Sequence, residues 1–326
     1  MPRAVVLPAD EAAHSDNLEW WYYHGHLRSE EGQEFGFHFV VFQSMAPNGS
    51  LAYVSQIGLT DVSNGTHEQA ARLSVGAQLD GADDLNVSIG GWEAVIAGQS
   101  HRISASLDES GRALSVVMSP ETPPMLHNGI GWIGAANGWT YYYSWPRMVA
   151  EGTLQTAAGP VDVAGEVWMD HQWGDFFVLG NPAGWQWFAL QLDDGTSLML
   201  QEFRDADGNA TSAFGTVMSP GDSAGLAVSR TLSPGSYTVV VEETWLSPNT
   251  GGLYPSRWDI QVPGEELLLS VEVVVADQEI TLGVPPAAIY YEGKARVSGT
   301  RSGRPVSGNA YAELTGYAPP PGLGWR

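Results

Sequence analysis

The 326-residue chain contains no cysteine. That excludes disulfides, thiolate metal sites, iron–sulfur clusters and cysteine nucleophiles. Lysine is nearly missing too. Of the 14 basic residues only Lys294 is lysine, so Schiff-base chemistry would have that one residue to use. Positive charge is scarce overall. Acids outnumber bases 37 to 14, a net charge of −23 that repels phosphate backbones and anionic membranes and argues against a nucleic-acid partner. Long apolar runs are also missing. No stretch approaches the roughly 20 apolar residues of a spanning helix. Ala4-Val5-Val6-Leu7, closed by Pro8, is too short for the core of a signal peptide. The expectation is a soluble chain with no transmembrane segment, cytoplasmic or exported with its leader removed, and with no signal for oligomeric state.

What is present is aromatic and rich in turn formers. Trp, Tyr and Phe make up 10% of the residues, beside 39 Gly and 20 Pro, enough apolar surface for a core built from short strands and turns. Period-2 patterns dominate. Phe35 to Phe42 reads as a strand buried on both faces, and Leu51–Leu59, Tyr237–Trp245 and Leu267–Val275 alternate. Turn signals such as Asp193-Asp194-Gly195 and Pro234-Gly235 separate them. Only His67 to Leu73 looks helical. The pattern predicts about eighteen to twenty strands, too many for one small barrel. We expect an all-β chain of two tandem antiparallel barrels, residues 1–178 and 179–326, with the seam at Gly180-Asn181-Pro182-Ala183-Gly184 and an apolar pocket where they meet.

Three stretches carry chemistry-bearing residues. On a strand through Glu19-Trp20-Trp21-Tyr22-Tyr23-His24-Gly25-His26-Leu27, Glu19, Trp21 and Tyr23 share one face, and Trp20, Tyr22, His24 and His26 the other. His24 and His26 have a spacing that two zinc ligands can use, but spacing supplies no third ligand, and no metal or cofactor is expected. In Trp168-Met169-Asp170-His171-Gln172-Trp173-Gly174, Asp170 points one way and His171 and Trp173 the other. An acid, an imidazole and an indole at a strand end make good site material. Further on, Trp187 and Gln191 share a face of one strand, and the next strand offers Glu202. Gly221-Asp222-Ser223-Ala224-Gly225 matches the nucleophile pattern of serine hydrolases. The strand-like Leu226-Ala227-Val228 after it suits a turn of small residues better than the helix that mechanism needs.

Three segments together carry a family resemblance. They are His14-x4-Glu19-Trp20-Trp21-Tyr22-x2-Gly25-His26-Leu27, Trp168-Met169-Asp170-His171-Gln172-Trp173-Gly174, and Gly308-x2-Tyr311-x-Glu313-Leu314-Thr315-Gly316-Tyr317. The chain resembles the lipocalin-like family that includes the AttH proteins and the carotenoid 1,2-hydratases. The resemblance implies two lipocalin-like (calycin-type) barrels in tandem. Related two-barrel proteins include pericyclases, so the fold does not fix the reaction. Among the hydratases an His-x-Trp pair and a later Tyr-x-Asp pair are implicated. The first maps onto His171 and Trp173; the second has no counterpart in Trp187-Phe188-Ala189-Leu190-Gln191.

The function expected is a hydratase or cyclase that protonates a double bond of an apolar isoprenoid or polyene ligand. Asp170, His171 and Trp173 are the expected catalytic residues, with Asp170 as a buried, neutral acid. Glu19, Trp21, His26, His38, Tyr141, Trp187, Gln191 and Glu202 are expected to bind the substrate. A pericyclase of the same fold and a non-catalytic carrier of a hydrophobic small molecule are the alternatives.

Overall fold

The computed structural model describes residues 2–45, 49–75, 85–135, 138–176, 184–205, 207–221, 227–282 and 289–319. The chain divides into two compact units, Met1–Val178 and Leu179–Arg326. Residues 180–183 of the expected seam, and Ser223 with its neighbours 222–226, lie outside the described residues. Those that are described form strands and three short 3-10 turns, with no α-helix among them.

The first unit is one twelve-stranded sheet. In chain order its strands are β1 (Leu18–Ser29), β2 (Glu34–Met45), β3 (Leu51–Asp61), β4 (Thr66–Val75), β5 (Asn86–Ile89), β6 (Trp92–Ala97), β7 (Ser100–Leu107), β8 (Arg112–Pro120), β9 (Met125–Leu126), β10 (Trp132–Ala135), β11 (Gly138–Thr156) and β12 (Gly159–Phe176). They pair antiparallel in the order β4-β3-β2-β1-β12-β11-β8-β7-β6-β5, with β9 and β10 on β11. The sheet curls until its edge strands β4 and β5 approach each other. The second unit is a ten-stranded sheet of β13 (Trp185–Leu192), β14 (Ser197–Arg204), β15 (Ala210–Ser219), β16 (Val228–Leu232), β17 (Thr238–Leu246), β18 (Leu253–Val262), β19 (Leu267–Val273), β20 (Glu279–Ile280), β21 (Tyr290–Arg301) and β22 (Arg304–Thr315). Both are barrel-like antiparallel sheets, as the sequence pattern predicts. The expected strand number is low because β9 and β20, at two residues each, are too short to show a period.

The helical reading of His67 to Leu73 is overturned. The segment is the middle of β4, paired along its length with β3 from Ala52↔Val75 to Asp61↔Thr66. Seven residues are too few to nucleate a helix unaided, and the open edge of β3 offers a ladder partner for every other backbone group.

Each unit has its own core. In the first, the odd-numbered residues of β1 to β3 point inward: Trp21, Tyr23, Phe37, Phe39, Ile57 and Leu59 are all buried in one cluster. In the second, Phe188, Leu190, Leu200, Trp258 and Leu314 do the same. Gly165 and Gly308 permit close strand approach. A Cβ at Gly165 would lie 1.9 Å from the His26 carbonyl oxygen, and one at Gly308 2.0 Å from that of Gln191. Backbone atoms cannot swing aside as a side chain does. Gly165→Ala and Gly308→Ala are each expected to cost about 1–3 kcal/mol, read as a lowered urea midpoint with an unchanged far-UV spectrum. Midpoints equal to the parent's would show that the strands can part there.

Candidate active site

The inner face of the first sheet turns polar at one end. Register sets two adjacent rows. One runs Tyr53–Gln43–Glu19–Trp173–Tyr141 across β3, β2, β1, β12 and β11, and the next places Trp21, His171 and Tyr143 side by side. Strand alternation and this register together put Glu19, Trp21, His171, Trp173, Tyr141 and Tyr143 on one face. The segment before β1 packs onto this face and brings Asp10, Glu11 and His14, with Val5 in the core cluster.

Glu19 is the hub and is fully buried. Its Oε1 lies 2.7 Å from both His171 Nε2 and His14 Nδ1. Its Oε2 accepts the His14 backbone N–H at 2.7 Å and Gln43 Nε2 at 3.1 Å. Gln43 is itself held by the Tyr53 hydroxyl at 2.8 Å and donates to the His14 carbonyl at 2.7 Å. Beyond His171, Nδ1 meets the Tyr143 hydroxyl at 3.3 Å, and that hydroxyl lies 2.7 Å from Glu11 Oε2. Trp145 Nε1 donates to Glu11 Oε1 at 3.1 Å.

Indole rings enclose the imidazoles. Trp21 and Trp173 each lie 4.7 Å from the His171 ring, and Trp173 stacks on His14 at 4.1 Å, nearly parallel. Tyr141 stacks on the same indole at 5.2 Å. Such faces favour a nearby cation. Burial holds the His171 imidazole below its ordinary value, and the hydrogen bond and charge of Glu19 offset only part of that. His14, its side chain 18% exposed, and Tyr141 are the members that reach toward solvent. Burial raises the Asp10 carboxyl, but Arg3, the Val6 N–H and His14 together bring it below its ordinary value.

His14, Glu19 and His171 are, among the described residues, the one group of three metal-ligating side chains whose ligand atoms lie within 4.8 Å of one another. Two atoms bound tetrahedrally to a zinc, each at about 2.0–2.1 Å, would stand roughly 3.3 Å apart. The 2.7 Å separations here are those of charge-assisted N–H···O bonds. His24 and His26, the pair suggested by spacing, have ring centroids 6.1 Å apart and edge-on.

Asp170 lies on the opposite face of β12 from His171. It is buried and takes three hydrogen bonds: from Trp168 Nε1 at 2.7 Å, from the Tyr142 hydroxyl at 2.6 Å and from the Ser144 hydroxyl. Burial pushes its carboxyl up to about 6, against those three donors. His127 Nε2 lies 2.8 Å from Ser144 Oγ. Because that serine gives its proton to Asp170, His127 must donate, so Ser144 sits between base and acid and is not an activated nucleophile. Asp170→Asn would replace one accepting oxygen by an N–H₂ group, set against Tyr142 in one orientation and against Ser144 and Trp168 in the other. It is expected to cost about 1–3 kcal/mol of stability, measured by urea unfolding; no loss would mean the pocket re-forms around the amide.

The remaining expected residues are dispersed. His26 and His38 are buried on the face of β1 and β2 opposite Glu19. In the second unit, Trp187 and Gln191 share one face of β13. Glu202 pairs in register with Gln186 on the other face, with burial raising its carboxyl and Arg204 lowering it. The structure thus joins Glu19, Trp21, Tyr141, His171 and Trp173, and adds Glu11, His14, Gln43 and Tyr143. His14 carried a signal in the His14-x4-Glu19 spacing. Tyr143 carried one as an aromatic two residues from Tyr141 on the same strand; Glu11 carried none, since only the docking of the first segment brings it to Tyr143.

A family model described as AttH-like matches residues 1–317. A crystal structure assigned as an AttH from Nitrosomonas europaea matches with a TM-score of 0.85 and 26% identity, covering 97% of this chain and 98% of that one. Kievitone hydratase from Nectria haematococca matches with a TM-score of 0.75 and 18% identity, over 96% of this chain and 93% of that one, a likeness of fold. No curated protein matches the sequence.

Proposed function

The chain belongs to the AttH-like family, and from that footing we propose that it is a hydratase-type enzyme that protonates a carbon–carbon double bond of an apolar, isoprenoid or polyene ligand. The observation that carries the reading is a buried carboxylate–imidazole pair walled by indoles, Glu19–His171 with Trp21 and Trp173. Protonating an isolated alkene needs an acid shielded from water and aromatic faces around the cation that forms. His171 is the proton donor in this reading, Glu19 stabilises its charged form, and Trp173 flanks the cation. Water then adds to the cation and returns a proton to the array. Kievitone hydratase, by its name a hydratase of the same fold, supports the class of reaction and leaves the substrate open.

Asp170 has the weaker claim to the acid, because all three of its contacts come from donors and a carboxylate meets them best. A folded Asp170→Asn protein is expected to keep its turnover; a folded variant without turnover would move the acid to Asp170. The reaction itself is tested with acyclic polyenes and other isoprenoids in deuterated, ¹⁸O-labelled water. Hydration puts both labels into the product. Cyclisation puts in deuterium alone, a pericyclic closure neither, and a carrier gives no product. Any of the last three outcomes with a true substrate sinks the hydratase reading.

A further inference from the structure

Five side chains stand in series: Glu11, Tyr143, His171, Glu19 and His14. Each of the four contacts between them needs one hydrogen. With both carboxyls ionised and both imidazoles neutral, only three are available, one each from Tyr143, His171 and His14. His171 Nε2 must spend its hydrogen on Glu19. If Tyr143 then gives its own to Glu11, the Nδ1 lone pair faces an oxygen lone pair at 3.3 Å. The array would also hold two negative charges among indoles, which burial opposes. A fourth hydrogen removes both problems.

On the hydratase reading above, we infer that Glu11 is an un-ionised carboxylic acid that stores the proton His171 delivers. Its two oxygens suit that form. Oε1 accepts from Trp145 as a carbonyl does, and Oε2 lies 2.7 Å from the tyrosine oxygen, a contact that an O–H on either oxygen can fill. The Glu11 proton passes to Tyr143 Oη as the tyrosine's own proton passes to His171 Nδ1. This leaves a Glu11 carboxylate and an imidazolium, and no charge is gained or lost. Glu11 acts through Tyr143 and is a positioning residue.

The groups around it are consistent. Tyr23 faces Glu11 from β1, its hydroxyl 3.0 Å from His101 Nδ1 on β7. Burial holds Tyr23 and Tyr143 well above the usual phenol range, so both stay protonated. His101 faces His171 as a neutral ring. Asp10 is paired with Arg3 and lies 3.5 Å from His14 Nε2, and Asp16 and Tyr53 face the Glu19 end.

The test is infrared spectroscopy of the full chain at about pH 8, where Asp170, at about 6, is ionised. We expect a carboxylic-acid C=O stretch that shifts in D₂O, persists in Asp170→Asn and is lost in Glu11→Gln. In Tyr143→Phe the stretch moves to higher frequency, because the acid hydroxyl has lost its acceptor. This second variant keeps the test open if Glu11→Gln does not fold. No such band in the parent, a band retained in folded Glu11→Gln, or an unshifted band in Tyr143→Phe would each overturn the inference. So would one equivalent of tightly bound divalent metal in the purified protein, since a metal would replace the two N–H protons on Glu19. The band is independent of turnover, so its presence in a protein that hydrates nothing would sink the functional reading alone.

Discussion

Glu19→Gln is expected to lower turnover about 10²–10⁴-fold, the range set by losing a positioned proton-transfer group. The carboxylate takes four hydrogen bonds, two of them from imidazole nitrogens on one oxygen. A glutamine can accept along one side only, and its own N–H₂ would be driven against a donor. His171 would then lose both the hydrogen bond and the charge that raise its pKa, while the burial that lowers it stays. The sign follows. If catalysis needs the imidazolium, activity falls as pH rises through the His171 pKa. Lowering that pKa moves the alkaline limb of the kcat profile to lower pH. A purely structural role for Glu19 would reduce folded protein and leave the limb in place. An unmoved limb in folded Glu19→Gln, with turnover intact, would remove Glu19 and His171 from the chemistry.

Trp173 tests the other half of the site. It stacks on His14 and Tyr141 and lies against His171, so one indole serves three rings. The sequence made His171 and Trp173 visible because they lie two apart on a strand. It made Glu19 and Trp21 visible for the same reason. Alternation is a local property, so every pairing of residues on one strand face was legible.

What alternation cannot supply is the neighbour across the sheet. Tyr143 stands beside His171 because β11 pairs with β12 in one register, and a shift of one residue would have placed Tyr142 there instead. Tyr142 points to the other face, where it holds Asp170. Glu11 was illegible for a different reason. It lies in a 3-10 turn of three residues, with no period to set its direction, and it reaches Tyr143 across 132 positions of sequence. Asp170 shows the limit of reading an acid from its aromatic surroundings. Burial was foreseen, but the three donors that meet the carboxylate come from both β12 and β11. The helical reading of β4 failed because an edge strand takes its structure from the ladder beside it.

The protein is also expected to lose most of its stability between about pH 6 and pH 4. Burial holds His101 and His127 down to about 3, His67 to about 4 and His38 well below its ordinary value of 6.5. In the unfolded chain all four titrate near 6.5. Below that pH the unfolded state therefore binds more protons than the native one, and stability falls as pH falls, until the folded pKa values are reached. Asp170 works the other way. Its folded value, about 6, lies above its ordinary 3.8, so acidification favours the native form over the same interval. These four histidines against Asp170 alone give a difference of about three protons, or roughly 4 kcal/mol per pH unit near pH 5; His171, also held low, adds to the slope, and the raised Asp16, Glu202 and Asp277 take from it. A domain of ordinary stability, about 5–15 kcal/mol, does not survive two such units. Urea unfolding at a series of pH values reads the slope directly. His38 offers the internal control. Neither of its ring nitrogens meets a hydrogen-bond partner among the described residues, so His38→Leu removes a titrating group without breaking a bond. The variant's slope should fall by about 1.4 kcal/mol per pH unit. A parent whose stability is flat from pH 6 to pH 4 would mean that these imidazoles are protonated, and therefore solvated, in the native state.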